Sequence, residues 1–213
     1  MNNNLSGSVL ATLRALVPKR RLTYSEALRL AELQANRLIE LFDITSPQVP
    51  NELITELPRM EVRLAPDLPV SGATHWESGR WLISLNATEP YVRRRFSLMH
   101  EFKHVLDHTT KHFLYGDVAN DRDAANRAER AADQFAACLL MPKRWIKREW
   151  FDAGQRVSVA ASRFGVSSQA LTVRLWLLGM APETQRCFPS SAVEVRSDPT
   201  PYLRRSPLLE KVA

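Results

Sequence analysis

Hydrophobic residues fall at three- and four-residue intervals along LTYSEALRLAELQANRLIELFDI, through Leu22, Ala27, Leu30, Ala31, Leu33, Leu38 and Leu41. That period predicts a helix with one buried face, preceded by a polar start. Pro47, Pro50 and Pro58 then interrupt the pattern and bracket a short helix or turn over 52–57. Over residues 60–86 the pattern switches to alternation in MEVRLA, SGATHW and WLISLN, with a Glu77-Ser78-Gly79-Arg80 turn between the last two. Alternation with β-branched and aromatic residues predicts a small antiparallel sheet ending in a hairpin. Past Pro90 the helical period returns, and Val92, Phe96, Met99, Phe102, Val105 and Leu106 share one side of a helix ending near Asp107. A second strong helix is predicted over 122–140, with Ala125, Ala128, Ala132, Phe135 and Leu139 as its apolar set and Met141-Pro142 as its stop. Helices near 143–151, 157–164 and 167–178 follow, and the proline-rich residues 181–213 read as an extended, flexible tail.

Composition narrows the class. The 213 residues are 45% hydrophobic and 24% charged, which excludes collagen-like, low-complexity and wholly disordered chains and suits one full domain with small appendages. A net charge of +6 attracts anionic partners mildly and is too small to imply nucleic-acid binding. Two cysteines, Cys138 and Cys187, form no CxxC pair, so a reduced cytoplasm is the expected setting. The N-terminus has no basic region ahead of its short apolar stretch, and no run of about 18 apolar residues occurs, so neither a signal peptide nor a membrane span is expected.

The segment that carries chemistry is RRRFSLMHEFKHVLDH, because it sets His-Glu-x-x-His within a predicted helix. Residues four apart lie about 40° apart around a helix, so the His100 and His104 rings can converge on one ion, and imidazole nitrogen suits Zn²⁺. Glu101 is rotated by about 100° from His100, which places it as a general base rather than a ligand. Lys103 puts a charge inside the motif. On the 122–140 helix, Glu129 and Asp133 project from one side, so Glu129 can complete a His₂Glu site while Asp133 accepts the spare ring N–H of a ligating histidine. The bland alternative for these two is a solvated acidic face pairing with Arg127 or Arg130. His75, His108, Tyr91 and Tyr115 are the candidates for an oxyanion donor or cleft residue by proximity in sequence. His108 and His112 continue the four-residue spacing but drift away from the metal, His108 toward the cleft or the helix end and His112 toward solvent. Trp76 and Trp81 either line substrate pockets beside the sheet edge or pack the hairpin onto the helix.

These segments, SGATHWESGRWLISLN, RRRFSLMHEFKHVLDH and ERAADQFAACLLMP, followed by RFGVSSQALTVRLWLLG, resemble the ImmA/IrrE family of zinc metallopeptidases over roughly residues 20–180. The resemblance implies an α+β, zincin-like fold, a small antiparallel sheet packed on an active-site helix within a mostly helical surround. It also implies His100, His104 and Glu129 as zinc ligands, Glu101 as catalytic base, and Asp133 as the less secure partner of a ligand. The implied substrate is a protein, a helix-turn-helix transcriptional repressor linked to stress responses or mobile elements. The expected layout is an N-terminal helical segment over 1–45, a zinc peptidase core over 46–150, a helix-turn-helix-like unit over 151–180 and the tail over 181–213.

Residues 159–175 carry the helix, glycine turn and second helix of a helix-turn-helix, with Gly165 at the turn and Ser167 as a cap. Gln169, Thr172 and Arg174 are the residues that would face DNA. The rival function is therefore a DNA-binding or antitoxin-like regulator whose zinc site is structural or vestigial. A third is an interaction protein that sequesters a partner on its sheet edge without cutting it.

Overall fold

The computed structural model describes residues 5–116 and 121–180, and the predicted tail over 181–213 lies outside them. Nine helices and three strands are described: α1 (Leu5–Arg14), α2 (Tyr24–Leu41), α3 (Glu52–Thr55), β1 (Met60–Ala65), β2 (Gly72–Glu77), β3 (Arg80–Asn86), α4 (Tyr91–Asp107), α5 (Lys111–Leu114), α6 (Arg122–Leu140), α7 (Lys143–Asp152), α8 (Val157–Phe164) and α9 (Ser168–Leu177). The protein is α+β, as its periodicities predict.

The α2 helix starts on a capping box, in which the Thr23 hydroxyl accepts from the Glu26 N–H while the Glu26 carboxylate accepts from the Thr23 N–H. Its buried face comprises Ala27, Leu30, Ala31, Gln34, Ala35, Leu38 and Ile39, whereas Leu33, expected on that face, is exposed. The small residues of α6, Ala124, Ala128, Ala131 and Ala132, are buried and let α6 pack closely on both α2 and α4. In this way α6 faces α4 along much of its length.

The sheet differs from the expectation. β2 and β3 form the expected antiparallel hairpin, but β1 pairs with β3 in parallel, so the order is β1-β3-β2 and the sheet is mixed. The link from β1 to β2 carries Pro66 and Pro69, and β3 fills the place between the two strands. Helix α4 packs against β2 and β3. Trp81, Ile83 and Leu85 of β3 join Phe102 and Met99 of α4, Phe135 of α6 and Phe164, Leu171 and Leu175 of α8 and α9 in one core cluster.

The α1 helix falls within the helical segment expected over 1–45, and its Val9 and Leu13 are buried at a spacing of four. The α5 helix went unpredicted. The single turn of α5 is too short to set a period of its own.

Candidate metal centre and active site

His100 and His104 sit one turn apart on α4 and face Glu129 and Asp133 on α6. The His104 Nε2 and His100 Nε2 atoms are 3.2 Å apart, His100 Nε2 is 3.2 Å from Glu129 Oε2, and His104 Nε2 is 3.5 Å from Glu129 Oε1. The three side chains form the one cluster among the described residues whose ligand atoms lie close enough together to hold a metal ion. Tetrahedral zinc with bonds of 2.0–2.1 Å needs ligand atoms about 3.3 Å apart. The donor set, two imidazoles and a carboxylate, therefore fits in both chemistry and spacing. His100 Nδ1 lies 2.9 Å from Asp133 Oδ1, so its N–H donates to that carboxylate and Nε2 faces the cluster.

Electrostatics follow from this crowding. Burial by itself would lower the pKa of His100, but hydrogen bonds to Asp133 and then Glu129 outweigh it and raise it to about 10. For Glu129 burial pushes upward, and the His100 and His104 hydrogen bonds overcome it, leaving the carboxyl well below the usual carboxylate range. Glu129 is thus an anion poised among nitrogen donors.

Glu101 points the other way, toward β2. It is buried, and its Oε2 accepts a 2.7 Å hydrogen bond from the Thr74 hydroxyl. Gly72 passes so close that an added Cβ would lie 2.8 Å from Glu101 Cγ, so only glycine fits there without displacing the carboxylate. Sequence reasoning missed both Thr74 and Gly72. Each shares a strand face with Trp76, and an alternating strand gives no sign of which residue opposes Glu101.

The other candidates separate. His75 alternates away from Thr74 and lies on the opposite face of β2, 3.7 Å from Glu77. Tyr91 is exposed at the start of α4, near Asn51 and about 13 Å along the helix from His100. Tyr115, taken as a cleft candidate, is buried with its hydroxyl donating to Asp107, so it does not face the cleft. His108 lies one turn beyond His104, its ring edge-to-face on Trp81 at 4.8 Å, and burial, then Lys111 and Arg14, lower its pKa. Trp81 is buried and meets half-exposed Trp76 edge-to-face at 5.3 Å. His112 is exposed. Lys103, which read as an anomaly within the motif, is buried against Asp107.

Of the three residues expected to face DNA, Gln169 is exposed, and Thr172 is half-buried with its hydroxyl donating to the Ser168 carbonyl. Arg174 is buried, with Nε donating to the Met141 carbonyl, which removes it from any nucleic-acid face. The turn itself is as expected: Gly165 adopts a left-handed φ of 64°, and the Ser167 hydroxyl caps α9 by accepting from the Ala170 N–H.

A helix bearing paired imidazoles thus faces a carboxylate from a second helix, with a buried glutamate on its other side against the sheet. The family model described as Peptidase M78, IrrE N-terminal-like domain, matches residues 62–175, more than half of the chain, and the chain belongs to that family. No curated protein matches significantly. Among solved structures, the chain is similar to a Mycobacterium tuberculosis transcriptional regulator, with a TM-score of 0.51 and 14% identity over 78% of this chain and 51% of that one. That likeness concerns the fold, and this chain spans about half the length of the regulator.

Proposed function

We propose that the protein is a zinc-dependent endopeptidase that acts in the cytoplasm on a protein substrate, with His100, His104 and Glu129 holding the metal. The observation that carries this reading is the triangle of Nε2, Nε2 and carboxylate oxygen, spaced 3.2–3.5 Å, with Asp133 fixing one imidazole from behind. The peptidase family membership of residues 62–175 supports it. When bound, zinc supplies Lewis acidity toward a peptide carbonyl and toward water.

The residues of the chain do the rest. Thr74 holds Oε2 of Glu101, leaving Oε1 to take a proton from the attacking water and return it to the leaving amine. Of the sequence candidates, His108, one turn past His104 and against Trp81, is the proposed donor to the developing oxyanion. The outer edge of β2 is unpaired among the described residues, and an extended substrate segment adds to it by main-chain hydrogen bonds. The substrate class implied by the family resemblance is a helix-turn-helix transcriptional repressor, in stress or mobile-element regulation. No helix among the described residues is long and apolar enough to cross a membrane.

The rival DNA-binding role loses Arg174, and the exposed side of α9 carries Val173, Trp176 and Leu177 rather than cations. Incubation with a candidate repressor tests the proposal. Cleavage that stops on chelation, returns with zinc and falls at least about 10³-fold in Glu101→Gln with zinc content unchanged is the expected result. Salt-dependent operator binding with no cleavage under any metal condition would overturn it.

A further inference from the structure

Lys103, Asp107 and Tyr115 form a polar cluster closed off from solvent, their residues 1%, 2% and 3% exposed. Lys103 Nζ donates to Asp107 Oδ1 at 2.5 Å and Oδ2 at 2.7 Å, and the Tyr115 hydroxyl donates to Oδ2 at 2.6 Å. A buried ion pair adds little net stability over an apolar pair of similar volume, so its presence needs another reason. What it does supply is a single geometry, because each carboxylate oxygen has a fixed donor.

Its position is informative. Around α4, Glu101 is turned about 100° from His100 toward the sheet, whereas Lys103 and Asp107 are turned about 60° and 20° the opposite way, toward α6. The Tyr115 ring is seated in a second core cluster with Ala124, Ala128 and Ala131, which lie on one face of α6 at spacings of four and three. Ala128 immediately precedes Glu129, and Tyr115 lies close enough to Glu129 to feel its charge. The cluster thus ties α4, one turn past His104, to the part of α6 that carries the carboxylate. Arg14 holds the same end of α4 by donating to the Val105 and Leu106 carbonyls.

We propose that Lys103, Asp107 and Tyr115 are positioning residues that set Glu129 against the histidine pair, an inference that rests on the metal site proposed above. None of the three touches the metal position. They act through the register of α6 on α4, where a shift of a few tenths of an ångström changes how well three ligand atoms share one ion.

Zinc affinity of the full chain, measured by competition with a chromophoric chelator, tests this. Tyr115→Phe keeps the ring and removes only the tie to Asp107, and it should weaken zinc binding by about tenfold or more, the range for residues that orient ligands. Leu53→Ala, a core truncation on α3 remote from the site, controls for stability alone and should leave zinc affinity within about twofold of wild type even where it unfolds more readily in urea. Should Tyr115→Phe fail to fold, the double replacement Lys103→Met with Asp107→Leu removes both charges together and carries the same expectation. A folded variant binding zinc as tightly as wild type, or a Leu53→Ala loss equal to that of Tyr115→Phe, overturns the positioning role while leaving the metal site intact. Wild type binding zinc no better than a His100→Ala, His104→Ala double variant overturns the metal site, and the positioning role with it.

Discussion

Two imidazole nitrogens 3.2 Å apart beside a carboxylate attract a proton when no metal separates them. His100 therefore titrates near 10 in the metal-free protein, far above the 6.5 of a free side chain. Its folded value exceeds its unfolded one, so the stabilisation is complete below pH 6.5 and is lost as pH rises through about 10. Glu129 is shifted downward, so its contribution is present above pH 4.5 and fades as pH falls below that. Urea midpoints of chelator-treated protein should accordingly decline between pH 6.5 and 10, and zinc-loaded protein should decline less, since the metal replaces the proton. A midpoint that does not change across this range in the metal-free protein would contradict the assignment. On the other side of the helix, Thr74→Val removes the hydrogen bond from the Thr74 hydroxyl to Glu101 Oε2 while keeping the shape of the side chain. The expected result is a kcat lowered about ten- to a hundredfold with zinc affinity unchanged and partial rescue in Thr74→Ser, read by steady-state cleavage assays.

At the level of elements, the capping box of α2 predicts its own test. Thr23→Ala leaves the Glu26 N–H without its side-chain acceptor and should cost about 1 kcal/mol in chemical denaturation. Zinc affinity should not follow, because α2 contributes no ligand. Helices α2, α4 and α6 were legible because each has a strong period and an identifiable start or stop, Met141-Pro142 ending α6 within a residue of its predicted end. That His100 and His104 share one side of α4 and Glu101 another was legible for the same reason, since helical spacing converts sequence distance into direction. Strand direction was not. Alternation shows that β1 is a strand but says nothing of its partner, and the parallel pairing with β3 depends on how the chain crosses from residue 65 to 72. Arg174 looked like a surface cation because charge is the usual mark of exposure, and only packing against the end of α6 shows it buried. Lys103 stood out only as a charge inside the motif, and its burial was not legible. Its partner Asp107 stood one turn away in the sequence, whereas Tyr115 belongs to α5 and its surroundings, which have no period to read.

Across the whole molecule, Arg95 joins α4 to the turn between α8 and α9. Its guanidinium is buried and donates to the Gly165 and Phe164 carbonyls and to Asn51 Oδ1. An added Cβ on Gly165 would sit 3.3 Å from Arg95 Nε and 3.2 Å from Gln48 Nε2, so the turn is fitted closely around this contact. Arg95→Leu should strand those acceptors and cost about 2–3 kcal/mol, measured as a shift in denaturation midpoint. A change within about 0.5 kcal/mol would show the contact to be incidental. The core that begins under the histidines with Phe102 and Met99 continues without a break to Leu171 and Leu175. A shortened chain ending at residue 154 would leave that oily seam open to water, and what emerged from the ribosome would clump.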